Sequence, residues 1–92
     1  MTETADTARK RLAMRSMRRG IKEMDLILSA FAAEKLADYD MADLQRYDAL
    51  LDESDLDIYR WVSRQEDPPQ RFASLVADIA ELAHGLTSPR HA

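Results

Sequence analysis

Cysteine is absent from this 92-residue chain, so neither disulfides nor thiolate metal sites can hold it together. Glycine occurs only twice and proline three times, too rarely for a low-complexity or disordered chain. Histidine is limited to His84 and His91, both near the C-terminal end, which leaves little room for a zinc or haem site. No Gly-rich phosphate loop and no Ser/His/Asp constellation is present. Catalysis by this chain alone is therefore not expected, and no bound cofactor is assigned. No apolar run approaches the roughly 20 residues that a membrane-spanning helix requires. The N-terminus also lacks the apolar segment of a secretory signal, and Glu3 and Asp6 argue against an Arg-rich transit peptide. These features lead to the expectation of a cytoplasmic protein.

What the chain does contain is apolar and charged in helical spacing. Its hydrophobic content of 46% suits one small all-α domain, a compact five-helix bundle over residues 1–92 with frayed ends at 1–6 and 87–92. The net charge of −4 conceals an asymmetry: residues 8–22 hold Arg9, Lys10, Arg11, Arg15, Arg18, Arg19 and Lys22 with no acid among them. That window carries +7 and the remainder −11, a polarity suited to an electrostatically steered partner.

The first helix is expected from Thr4 or Thr7 to Arg18, with a narrow apolar stripe and a basic ridge of Arg11, Arg15 and Arg18. Gly20 suits a left-handed cap at its C-terminal end. A second helix follows from Ile21 to Leu36, burying Met24, Ile27, Leu28, Phe31 and Ala32 at helical spacing. Asp40 and Asp43 resemble a capping arrangement for a third helix over Met41 to Leu51. Ser54, with Asp57 three residues on, opens a fourth to Arg64, in which Ile58, Trp61 and Val62 face inward. Pro68-Pro69 opens the last helix, whose apolar face runs from Phe72 to Leu86 and whose C-cap is expected at Gly85. Trp61 reads as a core anchor. Met14, Met17 and Met24 surround Gly20 either as an adaptable binding surface or as core filling.

The sharpest local signal is Arg18-Arg19-Gly20-Ile21-Lys22-Glu23-Met24-Asp25. A glycine permits close backbone approach, an arginine offers a fork of donors and a glutamate an acceptor, so Arg19, Gly20 and Glu23 together suit a docking surface. Each also has a purely structural reading, as cap, ion pair or dipole partner.

This stretch resembles the RGxxE motif of the succinate dehydrogenase flavinylation factors. Asp57-Ile58-Tyr59-Arg60-Trp61 is similar to a second motif of that family, Asp-Leu-Phe/Tyr-x-Trp, and the resemblance covers Arg15 to Leu86. It implies a bacterial cytoplasmic assembly factor that promotes covalent attachment of FAD to the flavoprotein subunit of succinate dehydrogenase and, in some bacteria, of fumarate reductase. It further implies that Arg19, Gly20 and Glu23 contact that client, with Arg18 and Asp25 alongside, and that Asp57, Tyr59 and Trp61 form a secondary motif. FAD is then the group attached to the client, since the chain itself has no dinucleotide fingerprint. In this reading Arg19 pairs with a client carboxylate or carbonyl, Gly20 lets the client approach, and Glu23 meets a client cation or orients Arg19. Two rivals from other classes are a nucleic-acid-binding module that sets Arg9 to Lys22 on phosphates and an antitoxin.

Overall fold

The computed structural model describes residues 3–87, and they form five α-helices: α1 (Ala5–Arg15), α2 (Lys22–Lys35), α3 (Met41–Leu51), α4 (Asp55–Val62) and α5 (Ala73–Thr87). Single 3-10 turns at Leu36–Asp38 and Gln70–Phe72 join α2 to α3 and lead into α5. No strand occurs among the described residues. The all-α bundle expected from the apolar spacing is the observed fold.

The expected faces are buried. Met24, Ile27, Leu28 and Phe31 of α2, Leu44, Tyr47 and Leu50 of α3, Ile58 and Trp61 of α4, and Phe72 with Leu75, Val76 and Ile79 at and after the second turn form one core. Helix α2 is central, packing against α1, α4 and α5. Trp61 is buried against Phe72 with ring centroids 6.3 Å apart, which makes it the core anchor that its position suggests. At α3 the capping arrangement is complete: Asp40 accepts from the Asp43 amide at 2.9 Å and Asp43 reaches back to the Asp40 amide. Ser54 accepts from the Asp57 amide at 3.1 Å and starts α4.

Helix α1 is attached differently. It buries only Ala8 and Leu12, and its arginines do the rest. Arg9 donates to the carbonyls of Leu36 and Tyr39 at 2.9 and 2.8 Å. Arg11 pairs with both Glu3 and Asp48, and Arg15 with Asp48 and Asp52. Charge-assisted bonds to α3 thus replace the wide apolar stripe that α1 lacks.

The helix ends depart from expectation at several places. Helix α1 stops at Arg15 instead of Arg18, because Ser16 turns inward, donating its hydroxyl to Leu12 O at 2.7 Å and sharing a 2.5 Å hydrogen bond with the Tyr47 hydroxyl. Helix α4 stops at Val62, where Arg64 takes a left-handed φ of 65°. After Pro68-Pro69 the chain makes the 3-10 turn before α5 begins. Gly85 lies inside α5, which continues to Thr87, so it is not the cap. At the N-terminus, where fraying was expected over 1–6, Thr4 caps α1 and Glu3 pairs with Arg11. Met1, Thr2 and residues 88–92, His91 among them, lie outside the described residues, as does the Leu86 side chain.

Candidate functional site

The loop from Ser16 to Ile21 carries the basic-glycine stretch from α1 to α2. The left-handed residue in it is Arg18, with φ 55°, and Gly20 has no positive φ. A left-handed non-glycine residue costs about 1–2 kcal/mol, and Asp25 offsets this by accepting the Arg18 amide at 2.7 Å. Gly20 is therefore needed for a reason other than a left-handed cap. Its amide donates to Asp55 Oδ2 at 2.7 Å, and a Cβ built on Gly20 would lie 3.2 Å from that same oxygen. The close approach that glycine permits is thus filled by the protein's own carboxylate.

Arg19 is likewise committed within the fold. Its Nε pairs with Asp55 Oδ1 at 2.8 Å, Nη1 donates to Arg15 O at 2.9 Å and Nη2 to Leu51 O at 3.2 Å. The guanidinium ties the ends of α1 and α3 to the start of α4, and its side chain is only 13% exposed. In this structure the Arg19 guanidinium is engaged by the chain's own groups and is not turned outward. Three of its nitrogens already have partners in a largely buried geometry, where breaking a charged bond is costly.

The outward-facing members are Arg18 and Glu23. Both are exposed, and neither has an ion-pair partner among the described residues. Met14 and Met17 precede them in the chain and are 74% and 49% exposed, whereas Met24 is fully buried. Met24 thus fills the core, while Met14 and Met17 face solvent. Asp25 serves the loop through the Arg18 amide.

Glu23 also lines a cleft of about 500 Å³ between α2, α4 and α5. Tyr59, half-buried and packed against the core, lines it too, so one member of each sequence stretch meets at the same depression. The others in the second stretch do not join it. Asp57 pairs with Arg60 at 3.5 Å in the first turn of α4, and Trp61 is in the core.

The residue that sequence reasoning missed is Asp55. It reads as an ordinary acid in the first turn of a helix, favourable to the dipole, and nothing local links it to a glycine 35 positions away. The basic run is also largely internal. Arg9, Arg11, Arg15 and Arg19 all pair with acids or carbonyls, which leaves Lys10, Arg18 and Lys22 without ion pairs among the described residues. No cluster of His, Asp and Glu suited to a metal ion is found among the described residues, and no described helix is long and apolar enough to cross a membrane.

The class this defines is a small helical scaffold that stiffens one loop by internal ion pairs and turns Arg18, Glu23, Met14 and Met17 outward. The particular lineage is equally plain: residues 10–83 match the family model described as flavinator of succinate dehydrogenase, and the chain belongs to that family. Curated relatives named "Succinate dehydrogenase assembly factor 2, mitochondrial" include one from Cryptococcus neoformans, 43% identical over 70 residues, covering 76% of this chain and 40% of the relative. Another from Schizosaccharomyces pombe is 43% identical over 72 residues, covering 78% and 52%. A third from Yarrowia lipolytica is 41% identical over 86 residues, covering 88% and 59%. The chain thus spans about half the length of these relatives. Their names place them in mitochondria of eukaryotes, which overturns the expectation of a bacterial cytoplasmic protein.

Proposed function

We propose that this chain is an assembly factor that promotes covalent attachment of FAD to the flavoprotein subunit of succinate dehydrogenase, by docking on that subunit through the surface around Arg18 and Glu23. The observation that carries this reading is the match of residues 10–83 to the flavinator family, a span that contains both sequence stretches and the loop described above. The relatives' names mention succinate dehydrogenase and not fumarate reductase, so the proposal is confined to the former.

The chain's contribution is binding energy. A partner biases a client's conformations only by binding one more tightly than another, and a loop held stiff by Asp55 and Asp25 loses little entropy on docking. Arg18 and Glu23 then offer one charge of each sign to the client, with Met14 and Met17 as adaptable apolar contacts. Arg19 and Gly20 act one step back, by shaping the loop. FAD is the client's group, and the chain's residues orient the client around it.

The test is in-gel fluorescence of covalent flavin on the client under denaturing conditions, with the client produced alongside each variant. Glu23→Ala removes the outward carboxylate and Gly20→Arg drives a side chain into Asp55. Both are expected to lower the signal while circular dichroism remains helical. Undiminished fluorescence in both would overturn the reading.

A further inference from the structure

Beyond the two sequence stretches, the cleft that Glu23 and Tyr59 share runs onto α5, which neither stretch contains. Its apolar lining includes Ile27, Val62, Ala80 and Ala83, and its volume of about 500 Å³ falls within the range, roughly 300–1,000 Å³, of spaces that hold ligands and anchoring groups. Two carboxylates line it from different helices, Glu23 of α2 and Glu81 of α5, both exposed and both without an ion pair among the described residues. One guanidinium, that of the exposed Arg64, and the His84 imidazole lie there too. The two carboxylates outnumber the one guanidinium, and the cleft is apolar below.

On the footing of the proposed function, we infer that the client's contact extends into this cleft, and that the segment seated there presents an apolar side chain beside a lysine or arginine. An apolar anchor in a partly walled space supplies most of the energy in interfaces of this kind, while the surrounding charges select the sign of what enters. Glu23 then contributes from the cleft side of the loop, Glu81 opposite it accepts the client cation, and Arg64 disfavours a second one. Glu81 and Ser63, an exposed residue at the end of α4 that also lines the cleft, become contact residues that no motif contains.

The experiment is calorimetric titration of the full chain with the FAD-free flavoprotein subunit of succinate dehydrogenase from the same organism. Glu81→Lys and Ser63→Trp, both at exposed positions, are each expected to weaken binding by about tenfold or more, the scale of one lost charged contact or blocked anchor. Arg64→Glu is expected to bind at least as tightly as the wild type. Helical circular dichroism in every variant confines the effect to the surface. Wild-type affinity in both Glu81→Lys and Ser63→Trp, with Glu23→Ala weakened, would leave the docking role standing and overturn the cleft as its site. Weakening by Arg64→Glu with tightening by Glu81→Lys would assign an acidic occupant and overturn the inference. A self-associating chain whose dimer is abolished by Ser63→Trp while client binding is unchanged would give the cleft to a second copy. Absence of binding by the wild type would remove the proposed function and this inference together.

Discussion

Asp55 connects Gly20 and Arg19 through a single carboxylate, one oxygen accepting the amide of the first and the other the guanidinium of the second. Removing it exposes two donors whose alternatives in that place are poor, so Asp55→Ala is expected to lower stability by about 2 kcal/mol, the scale of orphaning a part-buried charged bond. Asp55→Asn keeps a neutral acceptor for Gly20 and is expected to lose about half as much. Native-state hydrogen exchange at the Gly20 amide, read beside a urea midpoint, separates this from general loosening. The amide should lose protection in Asp55→Ala before the core amides do, and unchanged protection would show that the loop is held by other bonds. The same geometry predicts that enlargement at Gly20 disturbs this bond without any partner present: even one methyl would stand 3.2 Å from Asp55 Oδ2, so the carboxylate must give by a few tenths of an ångström.

Among the helices, α5 carries a residue that is locally out of place. Gly85 lies within its last turns, and a Cβ added there meets nothing within 4 Å. Gly85→Ala is therefore expected to stabilise the protein by about 0.5–1 kcal/mol through helix propensity, visible as a Tm raised by a few degrees in a thermal scan. A fall in Tm would mean that the glycine serves a contact made by its backbone. Gly85 also shows where reading the sequence fails. Glycine near the end of an apolar period signals a stop, yet α5 runs past it because packing of Leu75, Val76, Ile79 and Ala83 outweighs the local cost. Caps written in neighbouring side chains were legible, as at Asp40 with Asp43 and at Ser54. The end of α1 was not, since it depends on Ser16 meeting Tyr47 and Arg19 meeting Leu51 and Asp55, partners more than 30 positions distant. For the same reason the stretch around Gly20 could be singled out, but not which of its members face outward.

Across the whole molecule the separation of charge along the chain is partly closed on folding. Arg11, Arg15 and Arg19 of the +7 window pair with Asp48, Asp52 and Asp55 of α3 and the start of α4. These pairings and the buried phenols set the limits of pH stability. Asp48 is held below its ordinary value of 3.8, first by its hydrogen bond to Arg11. Its contribution is present above that value and is lost as pH falls below about 4. Burial pushes Tyr47 up to about 12 from 10.0, so its contribution is complete below pH 10 and is lost as pH rises from there toward 12. Tyr39 is raised to about 12 by the same cause and shares that limb. Urea midpoints measured against pH should fall at both ends. Asp48→Asn is expected to flatten the acid limb and Tyr47→Phe to reduce the alkaline slope. Unaltered limbs in these variants would assign the transitions to other groups.

The bond between Gly20 and Asp55 has one more consequence. A surface whose contour is set by a carboxylate from a different helix is a discontinuous epitope, so it does not travel with its own sequence. A linear peptide copying residues 18–25 would keep the chemistry of Arg18 and Glu23 and lose their spacing, and antibodies raised against such a peptide would recognise the unfolded chain in preference to the native one. Grafting the native arrangement of Arg18 and Glu23 onto another scaffold would require the start of α4 to be carried with the loop.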